Sequence, residues 1–143
     1  MRAPTALALA LAVTVGAALA GSAAAQEGPV DCEADALSPA EIAVCAEAAW
    51  TDSEGALDLA YGLAATGAEV LDETRFLQGE AEDLRAAELV ESSQAEWLDY
   101  RDAHCAAEAL LVPEGLEREA VLQLCLARLN EARAAQLAVF GAE

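Results

Sequence analysis

Gln94-Ala95-Glu96-Trp97-Leu98-Asp99-Tyr100-Arg101-Asp102-Ala103-His104-Cys105 decides the fold. The stretch has no Gly, no Pro and no β-branched residue. Its large and special side chains recur at helical spacing. On a helical wheel Gln94, Trp97, Leu98, Arg101 and Cys105 fall within an arc of roughly 100°. That stripe holds one indole, one Leu, one thiol and one cation. An Arg on such a stripe must find an acid or reach solvent, because an unpaired buried charge is costly. Glu54 and Asp58, upstream, are its candidate partners.

Outward from this stretch the signals stay helical. Ser38-Pro39-Ala40-Glu41 opens a helix, with Ser38 as N-cap, Pro39 first inside and Glu41 capping back. This first helix is expected to reach about Trp50. Thr51-Asp52-Ser53-Glu54 repeats the capping pattern, so a second helix is expected to end near Gly67. Fusion of these two remains open. A third is expected from about Val70 to Leu111, with Gly79 as a bend or break and Pro113-Glu114-Gly115 as its stop. A fourth runs from about Leu116 to Phe140, with Val121, Leu122, Cys125, Leu129, Ala132, Gln136 and Phe140 on one face. No strand pattern is present. The expectation is an all-α bundle of about four helices. Trp97 is expected at its centre, near Leu129 and Tyr61.

The N-terminus reads differently. Met1-Arg2 precedes the apolar run from Ala6 to Ala20, and Ala23-Ala24-Ala25 ends it. This is the pattern of a secretory signal peptide over residues 1–25, cleaved after Ala25. A run of about 15 residues is short of the roughly 20 that span a bilayer. No membrane insertion is expected after cleavage. Residues 26–143 then form one small exported domain, periplasmic or secreted.

The 143 residues carry 26 Asp+Glu against 7 Lys+Arg, a net charge of −19, and every basic residue is Arg. Nucleic acid is excluded as a partner, since phosphate neutralisation needs a basic surface. About a quarter of the chain is Ala, so each buried position contributes little area and the core is thin. Cys32, Cys45, Cys105 and Cys125 form an even set in an exported chain, which reads as two disulfides. Three pairings are possible. Local loop closure favours Cys32–Cys45 and Cys105–Cys125. The wide cysteine spacing and the single His104 do not form a metal site.

Three groups of residues resemble the lysozyme inhibitor LprI family. Gln94, Trp97, Tyr100, Arg101, Asp102 and Cys105 fill its central motif. Cys125, Leu126, Arg133 and Leu137 fit a second element. Glu41, Cys45, Leu57 and Tyr61 fit a third, with Glu54 where Asp is usual and Asp58 where Asn is usual. The resemblance spans Cys32 to Leu137. The family's founding inhibitor is a lipoprotein, whereas Ser22 stands here where the lipidation Cys would be. The resemblance implies a disulfide-bonded helical domain that binds lysozyme.

Catalysis is not expected. The lone His104 lies beside a cysteine expected to be oxidised, and no Gly-rich phosphate loop is present, so no cofactor is expected. The function expected is lysozyme inhibition by protein–protein contact. A basic lysozyme is the expected partner, steered by the negative charge. The acidic stretch with Glu80, Glu82 and Asp83 is the candidate contact. The alternative is a non-catalytic structural or interaction module of the cell envelope.

Overall fold

A computed structural model describes residues 28–80 and 85–141. The signal peptide expected over 1–25, and Glu82 and Asp83, lie outside the described residues. Three helices follow in order: α1 (Pro39–Leu77), α2 (Ala86–Ala109) and α3 (Leu116–Gly141). No strand occurs among the described residues.

The bundle therefore has three helices rather than about four. The expected first and second helices are one element of 39 residues, about 58 Å long at 1.5 Å per residue. The capping pattern at Thr51–Glu54 does not act as a cap. Thr51 Oγ1 donates to the Glu47 carbonyl and Ser53 Oγ to the Trp50 carbonyl, so both hydroxyls bond back into the continuing helix. The expected third helix is instead divided between α1 and α2. Its break falls where Gly79, at φ +74°, closes a Schellman turn. There Gly79 N–H donates to Phe76 O and Glu80 N–H to Arg75 O, at 3.0 Å each.

Two helix starts show contrasting chemistry. At α1 the expected reciprocal cap is present: Ser38 N–H donates to Glu41 Oε2 at 2.7 Å, and Glu41 N–H to Ser38 Oγ at 3.3 Å. At α2 the N-cap is Arg85, whose side chain caps nothing. Asp72 of α1 takes over, accepting from Ala86 N–H at 2.7 Å and Ala87 N–H at 3.1 Å. These backbone bonds hold the Asp72 carboxyl below its usual pKa, aided by the nearby Arg85 and Arg75. A carboxylate at a helix N-terminus also suits the dipole. A depressed pKa means this stabilisation is complete above the ordinary Asp value and fades as pH falls through the lowered one. Asp72→Ala should therefore remove part of the stability at neutral pH and flatten its loss on acidification. Melting curves from pH 2 to 7 check this; parallel curves for both proteins would remove Asp72 from the account.

α1 and α3 run parallel, and α2 runs antiparallel between their contacts. Two disulfides staple the chain: Cys32–Cys45 ties the N-terminal segment to α1, and Cys105–Cys125 ties α2 to α3. α3 packs against two helices, so its buried arc is wider than the single face expected. Leu122, Cys125 and Leu129 serve the disulfide side. Ala120, Ala127, Asn130 and Leu137 are buried too, although the expected face omits them.

Gly67 does not end a helix; it admits a neighbour. A Cβ at this position would overlap the Phe140 carbonyl oxygen. By contrast a Cβ at Gly62 meets only open space. Helix propensity alone favours Ala at both positions, by about 1 kcal/mol. Gly62→Ala should raise the melting temperature, and Gly67→Ala should lower it by pushing the end of α3 off α1. Two variants that shift the same way would show that the close approach is absent.

Candidate functional site

The core divides into two apolar clusters with a polar layer between them. One contains Leu57, Ala64, Ala68, Val90 and Leu137, with Tyr61, Trp97 and Leu98 packed against it. The other surrounds the Cys105–Cys125 disulfide, with Leu126 and, at its edge, Trp50, Leu122 and Leu129. Leu129 and Tyr61 thus belong to different clusters, and only Tyr61 shares one with Trp97.

Asn130 occupies the centre of the polar layer and is fully buried. Its Nδ2 donates to Glu54 Oε1 at 2.8 Å and to Ser53 Oγ at 3.0 Å. Its Oδ1 accepts from Arg101 Nη1 at 2.8 Å. The same Arg101 nitrogen donates to Glu54 Oε1 at 2.8 Å, and Trp50 Nε1 reaches that oxygen at 3.1 Å. One carboxylate oxygen therefore gathers donors from all three helices. Of the two acids expected to meet Arg101, Glu54 does so. Asp58 is exposed; the second acid is instead Asp102, whose Oδ1 accepts from Arg101 Nε at 2.9 Å. Among the described residues no buried side-chain nitrogen or oxygen lacks a partner. Each donor is satisfied, so the layer favours one register of the three helices over any slipped one.

Trp97 is half-buried and is not the centre of the core. It sits at the rim of the α2 arc, where Arg101 and Arg133 place their guanidinium carbons 5.6 and 5.7 Å from its ring. Arg133 also donates to Gln94 Oε1 at 2.9 Å and to Ser93 Oγ at 3.1 Å. Gln94 and Arg101 are buried, while Tyr100 and Asp102 are exposed. Tyr100 stacks on His104 at 5.5 Å.

Three stretches far apart in sequence thus meet in one network: Glu54, Leu57 and Tyr61; Gln94, Trp97, Arg101 and Cys105; and Cys125, Leu126, Arg133 and Leu137. These are most of the positions that carry the family likeness, Glu41, Cys45, Tyr100 and Asp102 being the others, and the model of the lysozyme inhibitor LprI family matches residues 31–137. The chain belongs to this family. No curated protein and no solved structure matches it. Of the LprI motif here, Gln94 and Arg101 are buried and bond neighbouring helices, while Trp97 is half-buried beneath Arg101 and Arg133.

Glu54 and Arg101 neutralise each other, and all four cysteines are oxidised. His104, Glu108 and Cys125 place donor atoms within 4.8 Å of one another. The Cys125 sulfur is bonded to Cys105, so no thiolate is left to complete a metal set. No helix among the described residues is long and apolar enough to cross a membrane.

Of the candidate contact residues, Glu80 is exposed at the end of the α1–α2 turn and pairs with Arg75 at 2.8 Å. The same end carries exposed Phe76, Leu77 and Leu89. Sequence reasoning missed Asn130, Ser53 and Asp72, which have no local signature.

Proposed function

We propose that the protein is an exported inhibitor of lysozyme that acts by contact and not by catalysis. Family membership carries this reading. Two further features support it. A fold stapled by disulfides suits the oxidising space outside the cytoplasm, periplasmic or secreted. A net charge of −19 suits a basic lysozyme, which it attracts before contact. Lysozyme cleaves glycosidic bonds with two carboxylates in an open cleft, so a rigid body seated on that cleft excludes the substrate. The acidic residues Glu80, Glu82 and Asp83 are the proposed first contacts with its basic rim. Lysis of bacterial cell walls by lysozyme, followed as turbidity with and without the purified mature chain, tests the function. Loss of lysis at stoichiometric protein supports it. Full lysis at a large excess favours a structural module of the cell envelope instead.

A further inference from the structure

α1 outruns α3. Gly67 lies level with Phe140 at the end of α3, and α1 continues ten residues further to Leu77. At 1.5 Å per residue the overhang is about 15 Å. Over this distance, among the described residues, only the start of α2 accompanies α1, held there by Asp72. The result is a narrow two-helix tip beyond the three-helix body.

The tip exposes large apolar groups, as does the α2–α3 turn with Leu110, Leu111 and Leu116. Phe76 is 63% exposed, Leu77 76% and Leu89 53%. The chain has only two Phe, and a thin core has every use for one. The same segments carry exposed Glu73, Glu80 and Glu88. Over 69–80 and 85–91 six acids stand against two arginines, a net of −4. Exposed apolar groups in a negatively charged segment are complementary to an apolar wall on a basic protein. A lysozyme cleft offers the apolar wall, since its general acid lies in a hydrophobic pocket beside a Trp.

We propose that this tip is the surface that enters the lysozyme cleft, with Phe76, Leu77 and Leu89 seated against its apolar wall and Glu73, Glu80 and Glu88 on the basic rim. The proposal rests on the lysozyme-inhibitor reading and adds to it the place and orientation of contact. Apolar anchors at the centre carry the affinity, and the acids raise the association rate.

Binding of hen-type lysozyme to the mature chain tests this, with affinity followed by titration calorimetry and folding by circular dichroism. The Phe76→Ser/Leu77→Ser variant removes apolar surface without changing charge. It should weaken binding by about 30-fold or more, with Leu89→Ser as a milder second probe of the α2 side. Val121→Ser/Leu124→Ser, at the opposite end of the bundle, should leave affinity within about twofold. A trimer of N-acetylglucosamine, which fills the cleft, should compete with the chain. Wild-type binding that both tip variants retain in full would overturn the tip while leaving the inhibitor reading intact. Binding lost in the tip variant but indifferent to the trimer would overturn the cleft as its seat. A wild-type chain that neither binds nor inhibits lysozyme overturns the inhibitor reading, and the tip proposal with it.

Discussion

Arg101→Met should lower the stability of the bundle by about 2–4 kcal/mol, although Met matches much of the volume of Arg. The Arg101 side chain is 10% exposed and bonds both Glu54 and Asn130. Breaking a buried pair by removing one partner costs about 3–5 kcal/mol when the remaining charge is fully buried. Glu54 is 37% exposed and keeps its bonds to Trp50 and Asn130, which lowers that figure. Asn130 Oδ1 loses its partner at a site without solvent, which adds about 1–3 kcal/mol to the low end. For a domain of this size the melting temperature should fall by roughly 10–15 °C. Tyr100→Ala, in the same motif but on an exposed side chain, should change stability by at most about 0.5 kcal/mol. Equal melting temperatures for Arg101→Met and wild type would show that the polar layer does not hold the helices.

The second large effect belongs to one disulfide and not the other. Cys105 and Cys125 are fully buried, 20 residues apart in sequence, and join α2 to α3 inside a core cluster. Loop closure of that length is worth about 3 kcal/mol, and replacing both residues with Ala also removes packed sulfur. Cys32 and Cys45 close a loop of similar length, 13 residues apart. That loop, however, ties down an exposed N-terminal segment that touches neither core cluster. Opening it releases the segment and leaves the bundle folded. The Cys105→Ala/Cys125→Ala variant should therefore melt at least about 10 °C below the Cys32→Ala/Cys45→Ala variant. Equal losses in calorimetry would mean that the N-terminal staple is part of the cooperative core.

What the sequence discloses divides along the range of the interaction. The cap at Ser38–Glu41, the stop at Pro113–Gly115, the course of α3 and the two disulfides are local, and all were legible. The pairing of Arg101 with Glu54 was legible because a cation on an apolar stripe demands an acid. The helix count was not, because Thr51–Glu54 and Gly67 carry local stop signals that tertiary packing overrides. The Ser53 hydroxyl bonds back to its own helix and to Asn130. Gly67 reads as a terminator until the Phe140 carbonyl is placed against it. Trp97 was expected at the centre because it is the largest side chain on the stripe. Position on the arc decides instead, and Arg101 holds the middle. The proposed lysozyme contact is legible only as a family likeness and a charge, since exposed side chains such as Phe76 carry no periodic signal of their own.

A motif spent on holding the bundle together leaves the acidic outer surface free for the proposed contact with lysozyme. Titration of a basic lysozyme with the folded mature chain, at low salt and at 0.15 M salt, tests it most directly. The screening length at the higher salt is about 8 Å, so distant charges lose their pull and near ones keep it. A saturable complex is expected at both salts, weaker at the higher, with inhibition of lysis following occupancy. No measurable binding at low salt, where attraction by the acidic chain is strongest, would contradict it.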